Sequence, residues 1–175
     1  RFEQGDKGAA LAYARKSHGI LRSVGAKISS SREGLEFSVD RLQGEMSDLR
    51  RSMRGAEKRL AVLDAAELAA AAVAKGGVKF VVKALDGKEL EYVRGVATEI
   101  VAKGGTVALL GGAECLVLAR SADVNVDLRP IGKEALAKIG GKGGGPANFV
   151  QGGGSGDVKG ALALAETLVI AALPK

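Results

Sequence analysis

Apolar and polar residues alternate along this chain with two different periods, and the change comes near residue 76. Leu11, Ala14, His18 and Leu21 are spaced 3, 4 and 3, which predicts a helix over 7–24. Gly25 and Ser29-Ser30-Ser31 interrupt it, and Ser30 with Glu33 forms an S-x-x-E capping box for a second helix. In that helix Leu35, Val39, Leu42, Met46, Leu49, Met53, Ala56, Leu60 and Leu63 alternate spacings of 4 and 3. Such a run is a heptad seam. An alanine-rich tail leads to Lys75, and Gly76-Gly77 reads as its C-cap. From 31 to 75 the helix is about 68 Å long at roughly 1.5 Å per residue. A one-sided seam of that length needs a partner, either helix 7–24 folded back as an antiparallel hairpin or a second chain. Gly34, Gly44 and Gly55 lie off the seam and weaken the helix by up to about 1 kcal/mol each.

Beyond Gly77 the pattern mixes strands and helices. Val78–Lys83 predicts a strand and Asp86-Gly87 a turn. Leu90, Val93, Val96, Ala97 and Ile100 sit at helical spacing within 88–103, and Gly104-Gly105 ends that helix. Thr106–Leu110 and Cys115–Ala119 read as strands joined by a Gly111-Gly112 turn. A short helix over 130–139 follows, with Pro130 in its first turn. After a glycine-rich stretch, a last helix spans about 157–172 with Asp157 near its N-terminus. The expected fold class is α+β. Residues 1–76 form a helical hairpin or coiled-coil spacer, and 77–175 a small mixed α/β domain with a glycine-rich loop.

Composition narrows this picture. There are 26 glycines in 175 residues, about twice the usual share of roughly 7%, with 3 prolines and no Gly-X-Y period. That excludes collagen and low-complexity linkers. Aromatic residues are 3% and tryptophan is absent, so the core is built from small aliphatic side chains and no single-strand stacking platform exists. The single cysteine, Cys115, excludes an internal disulfide framework and fits a reducing cytoplasm. No apolar run approaches a membrane span. Arg1-Phe2-Glu3-Gln4-Gly5 is no signal peptide, and the chain reads as starting in mid-protein. Net charge is +6. Residues 1–60 hold 13 basic and 8 acidic residues, a net of +5. A basic helical third is a footprint for phosphate backbones, or simply a solvated face. Arg50, Arg51, Arg54, Lys58 and Arg59 cluster off the seam, with Glu57 as local counter-charge. There they either contact phosphate or stay solvated.

Nine glycines fall between 140 and 156, in Gly140-Gly141-Lys142-Gly143-Gly144-Gly145-Pro146-Ala147-Asn148-Phe149-Val150-Gln151-Gly152-Gly153-Gly154 and just after it. Exposed N–H groups of such a loop can form an anion-binding nest. Lys142 adds a cation, and the next helix adds its positive end. The order is neither that of a Walker loop nor a dinucleotide fingerprint. A flexible linker is the alternative, although Pro146, Asn148, Phe149 and Gln151 interrupt the glycines with residues able to pack and hydrogen-bond.

This stretch resembles the signature G-G-K-G-G-G-R-P-D-x-A-Q-A-G-G near the C-terminus of alanyl-tRNA synthetases. The signature belongs to the DHH-associated domain, shared with long-form alanyl-tRNA editing proteins and DHH phosphoesterases. Arg1-Phe2-Glu3-x-Gly5-x-x-x-Ala9-Ala10, with Tyr13, resembles the segment after the family's editing domain. Gly76-Gly77-Val78-Lys79 resembles the entry to the C-terminal domain. The chain departs from the synthetase pattern in three places. Gly145 runs directly into Pro146, Asn148 replaces an aspartate, and Leu128-Arg129-Pro130 replaces a His-Ala-Gly. In these it is more similar to the long-form editing proteins.

The resemblance implies a tRNA-associated module, cytoplasmic and without a catalytic site of its own. Its expected contacts are Gly140, Gly141, Lys142, Gly143, Gly144, Gly145, Asn148, Gln151, Gly152, Gly153 and Gly154, together with Arg50, Arg51, Arg54 and Lys58. The family's editing chemistry uses zinc on an H-x-x-x-H motif and a later Cys/His pair. With one histidine and one cysteine, this chain cannot build such a site, so zinc is expected only in an upstream editing domain. His18 reads as an interhelical histidine and Cys115 as core. The alternatives are a module that dimerises its enzyme through the heptad helix, and the nucleotide-binding lobe of a DHH phosphoesterase.

Overall fold

The computed structural model describes residues 7–173. Arg1-Phe2-Glu3-x-Gly5, part of the resemblance above, lies outside the described residues. The elements are α1 (Lys7–Lys27), α2 (Leu35–Ala70), β1 (Val73–Lys75), β2 (Val78–Ala84), α3 (Leu90–Val101), β3 (Thr106–Gly111), β4 (Cys115–Arg120), α4 (Leu128–Lys138), β5 (Lys142–Gly144), β6 (Phe149–Gly153) and α5 (Val158–Ala172). The architecture is α+β. Contacts divide the chain into two compact units, Arg1–Arg54 and Gly55–Lys175. This division falls inside α2, whereas the change of periodicity lies at Gly76-Gly77. No helix among the described residues is long and apolar enough to cross a membrane.

In the first unit, α1 and the start of α2 meet around their connecting turn. Ser30 N–H donates to the Gly25 carbonyl at 2.9 Å. A Cβ on Gly25 would stand 2.8 Å from the Ser30 carbonyl oxygen, so only glycine allows this approach. The reciprocal Ser30–Glu33 capping box does not form. Ser31 Oγ accepts from Gly34 N–H at 3.2 Å, Ser38 and Ser30 share a hydroxyl bond of 2.9 Å, and the helix begins at Leu35. The heptad seam is exposed: Val39 is 39% accessible, Leu42 38%, Met46 51% and Leu49 63%.

In the second unit, six strands form one sheet in the order β1-β2-β3-β4-β6-β5. β2 and β3 are parallel, joined through the crossover helix α3, and every other pair is antiparallel. β3 and β4 are central and buried on both faces, which is why Thr-Val-Ala-Leu-Leu-Gly and Cys-Leu-Val-Leu-Ala carry almost no polar alternation. On one face α4 and α5 cover Phe80, Val107, Leu109, Leu116, Leu118 and Val150. On the other, α3 and the end of α2 cover Val81, Ala108, Leu110 and Val117. Here α2 buries Ala61 and Ala65, while the seam residues Leu60 and Leu63 stay 48% and 66% accessible. Small side chains let the helix lie close, and they sit off the heptad stripe.

Three turns differ from the sequence expectation. Val73–Lys75 is not a helical tail. It is β1, paired with β2, and Gly76-Gly77 is the turn between them. Both glycines have positive φ, 58° and 79°, as a type I′ hairpin requires. Gly111 is not in a turn but in β3 opposite Leu116, where α5 packs so closely that a Cβ would strike Val158. The turn is Ala113-Glu114, closed by Gly112 N–H to the Cys115 carbonyl at 2.9 Å. Finally, the glycine-rich stretch contains two strands, β5 and β6.

Candidate functional site

α4 ends at Lys138 with Ile139 as its C-cap, and Gly140 reverses the chain with φ 64°. Gly140 N–H and Gly141 N–H donate to the Ala137 and Leu136 carbonyls at 3.0 and 2.9 Å, a glycine-dependent helix ending. The chain then enters β5, the edge strand. Lys142, Gly143 and Gly144 stand opposite Gly153, Gly152 and Gln151 of β6, which in turn pairs with β4. Gly154 N–H is held by the Glu114 carbonyl and Gly156 N–H by that of Ile139, at 2.9 and 3.0 Å. The stretch is therefore a stapled hairpin. The N–H groups of Gly140, Gly141, Gly154 and Gly156 are already engaged, so the expected nest is not what it presents.

Close backbone packing explains most of these glycines. A Cβ on Gly143 would lie 2.5 Å from Gly152 Cα, one on Gly152 would lie 2.6 Å from the Lys142 carbonyl oxygen, and one on Gly154 would lie 2.6 Å from that of Ile139. Gly141, Gly145 and Gly156 are equally crowded. Gly144 is different, with open space around it, and Gly153 meets only the Glu114 carbonyl oxygen at 3.4 Å. Successive residues of a strand alternate between faces. Lys142, Gly144, Gln151 and Gly153 thus share one face of the hairpin, and Gly143 and Gly152 the other, where Gly152 lies against Leu136 of α4. Lys142, Gly144, Gly145, Asn148 and Gly153 are exposed and Gln151 is half-buried. The Gln151 Oε1 atom is buried and has no hydrogen-bond partner. Asn148 contributes its backbone, its carbonyl accepting from Arg120 N–H at 3.0 Å.

The positive end of α5 is not open to an anion. Asp157 caps it, accepting from Gly160 N–H at 2.9 Å, so a carboxylate occupies that position. Beside the hairpin, Leu128 N–H donates to the Ala147 carbonyl at 2.9 Å and starts α4. There Asp127 caps the helix and receives Arg129 Nη2 at 2.7 Å. Its side-chain bond to Arg129 and the backbone N–H it accepts hold the Asp127 carboxyl down at about 2. The sequence reading did not single out this pair, although a D-x-R at a helix start was a legible signal. Cys115 is buried, and burial pushes its thiol up. His18 is exposed rather than interhelical, and its Nδ1 lies 3.1 Å from Arg32 Nη1.

Arg50, Arg51, Arg54 and Lys58 are all exposed on α2. Arg51 meets Asp48 only at 4.0 Å, with both side chains near 80% accessible, so that contact barely reduces its charge. Arg50, Arg51 and Arg54 belong to the first compact unit, and Lys58 and the hairpin to the second.

No protein-family model matches the sequence. The chain is similar to the alanine–tRNA ligase of Methanocorpusculum labreanum, with 32% identity over 148 residues, covering 84% of this chain and 16% of the ligase. It is similar to that of Thermus thermophilus with 28% identity over 149 residues, 83% of this chain and 17% of the ligase. It therefore spans less than a fifth of the length of these relatives. Among solved structures, the C-Ala domain of Aquifex aeolicus alanyl-tRNA synthetase superposes with a TM-score of 0.51 at 20% identity, covering 58% of this chain and 96% of that domain. That likeness is one of fold. The sequence matches, over more than four fifths of the chain, make it an alanyl-tRNA synthetase-related one.

Proposed function

We propose that the chain is a tRNA-associated module of an alanyl-tRNA synthetase-like enzyme, holding tRNA by its backbone and containing no catalytic site. The sequence likeness to alanine–tRNA ligases over 84% of the chain carries this reading. The hairpin supports it physically. Its open face combines Lys142 with side-chain-free Gly144 and Gly153, so a sugar-phosphate backbone can approach the peptide closely. Arg50, Arg51, Arg54 and Lys58 supply further phosphate contacts, which position RNA without reading its sequence. The departures at Gly145-Pro146, Asn148 and Leu128-Arg129-Pro130 favour an editing hydrolase over a ligase as the parent enzyme, in the cytoplasm. The test is fluorescence anisotropy with labelled tRNA across a salt series. Binding should weaken steeply with salt, and Lys142→Ala should lower the log–log slope by about 1. Salt-insensitive binding, or none at low salt, refutes the reading.

A second reading rests on α2. Its seam is exposed, and its charge is divided. Residues 33–48 hold five acidic residues (Glu33, Glu36, Asp40, Glu45, Asp48) and one basic (Arg41), a net of −4. Residues 49–59 hold five basic residues (Arg50, Arg51, Arg54, Lys58, Arg59) and one acidic (Glu57), a net of +4. An antiparallel second copy would bury both seams and set acid against base. Sedimentation of Leu42→Asp beside the parent chain decides it, because two identical monomers exclude dimerisation through this helix.

A further inference from the structure

We infer that the turn joining α1 and α2 is a phosphate-binding site formed by Arg22, Arg32 and His18. A cavity of about 200 Å³ opens there, lined by His18, Leu21, Arg22, Gly25, Ser30 and Arg32. Three of its six lining residues carry basic groups and none is acidic. The sequence around it is similarly one-sided: from Lys7 to Arg32 there are six lysines and arginines and no aspartate or glutamate. Neither Arg22 nor Arg32 has an ion pair among the described residues, and Glu33, next along the chain, forms none with Arg32. Like charges gathered without a carboxylate repel one another, and an anion between them removes that cost.

The local geometry selects the kind of anion. A guanidinium can only donate, so in the Arg32–His18 contact the ring accepts at Nδ1 and keeps its proton on Nε2. The site thus offers two planar donor forks and one ring N–H, all donors and no acceptor. A tetrahedral oxyanion with three free oxygens matches that set, and arginine forks pair with phosphate in bidentate fashion. Ser30 acts on the turn itself. Its backbone is tied to Gly25, and its hydroxyl is engaged with Ser31 and Ser38, so it shapes the cavity without binding the ligand. Arg32 lies three residues before Leu35, where α2 begins. The site shares no residue with the hairpin or with Arg50, Arg51 and Arg54, and it does not depend on the reading given above.

The phosphate can come from an RNA backbone or from a free phosphomonoester, and one experiment separates them. His18 is the only histidine, so its ring ¹H–¹⁵N signals report on the site without ambiguity. The full chain is titrated at one fixed pH with sodium phosphate, with sodium chloride at matched ionic strength, and with a duplex RNA. We expect a saturable shift of the His18 ring with phosphate, with RNA or with both, and none with chloride. Saturation by inorganic phosphate without RNA binding would leave this site standing while the tRNA reading falls. Arg22→Ala and Arg32→Ala should each weaken the response about fivefold. Arg22→Lys with Arg32→Lys should fall between parent and alanine variants, and Lys103→Ala, which removes an exposed cation of the second unit, should change nothing. Absence of saturation with both probes overturns the inference. So does a response that persists in the double alanine variant with its helix content intact.

Discussion

Alanine placed at Gly143 and at Gly144 should have opposite effects, although the two residues are neighbours in a run of three glycines. At Gly143 the new Cβ would sit 2.5 Å from Gly152 Cα and 2.9 Å from the Gln151 carbonyl carbon. Both are backbone atoms of the paired strand, so no rotamer change relieves the clash. β5 would have to lift from β6. Overpacking of this kind costs about 1–3 kcal/mol. At Gly144 nothing lies within 4 Å and φ is not positive. Alanine there restricts the unfolded chain and should stabilise by about 0.4–1 kcal/mol. With roughly 3 °C per kcal/mol for a chain of this size, melting should fall by about 3–9 °C for Gly143→Ala and rise by about 1–3 °C for Gly144→Ala. Thermal and urea unfolding followed by circular dichroism measures both. A flexible glycine linker would tolerate either change alike, so equal shifts, or an unchanged Gly143→Ala, would refute the hairpin.

Three further outcomes follow from the fold. Gly77→Ala should destabilise by about 1–2 kcal/mol, because φ is 79° and the surrounding space is open, so the whole cost is backbone conformation; urea unfolding checks it. Asp157→Ala should cost about 1 kcal/mol through loss of the α5 cap, and Asp157→Asn should retain most of it. Tyr92 is pushed up to about 12 by burial and by its hydroxyl donating to Asp64 Oδ2 at 2.6 Å. Its folded value lies above the unfolded one near 10, so its contribution is complete below pH 10 and is lost as pH rises toward 12. Tyr92→Phe should flatten the stability profile across that interval, and an unchanged slope would contradict the bond to Asp64.

The exposed seam and the glycine hairpin show how far a one-dimensional pattern reaches. Heptad spacing correctly marked α2 as one long helix, because periodicity of 3.6 is a local property. It could not tell which stripe meets the sheet. That contact is made by Ala61 and Ala65, whose small side chains scarcely register as hydrophobic signal, while Leu60 and Leu63 stay in solvent. The glycine stretch read as a loop because strands are recognised by side chains, and Gly143, Gly144, Gly152 and Gly153 have none. Its ladder is made of backbone bonds to partners distant in sequence, β4 above all. Among the candidate site residues, Lys142 and Gln151 were legible as interruptions of glycine. Their common face was not, since it depends on the register of β5 with β6.

The sequence alone determined the change of periodicity along the chain, α1, the existence of one long helix in α2, the strand–helix–strand unit β2–α3–β3, the capped helix α5 and the family likeness. Each depends on spacing within a few residues or on a contiguous motif. Tertiary structure decided the rest. Gly76-Gly77 became a hairpin turn because β2 was available to pair with β1. Six of the nine glycines at 140–156 became close-packing requirements, Gly140 became a left-handed helix ending, and Gly144 and Gly153 became an open floor. Arg22, Arg32 and His18 came together because the turn at Gly25–Ser30 folds ten residues and more of chain back on itself. Non-local backbone pairing and the position of each Cβ relative to a neighbouring strand are properties of the folded chain, and no window of residues contains them.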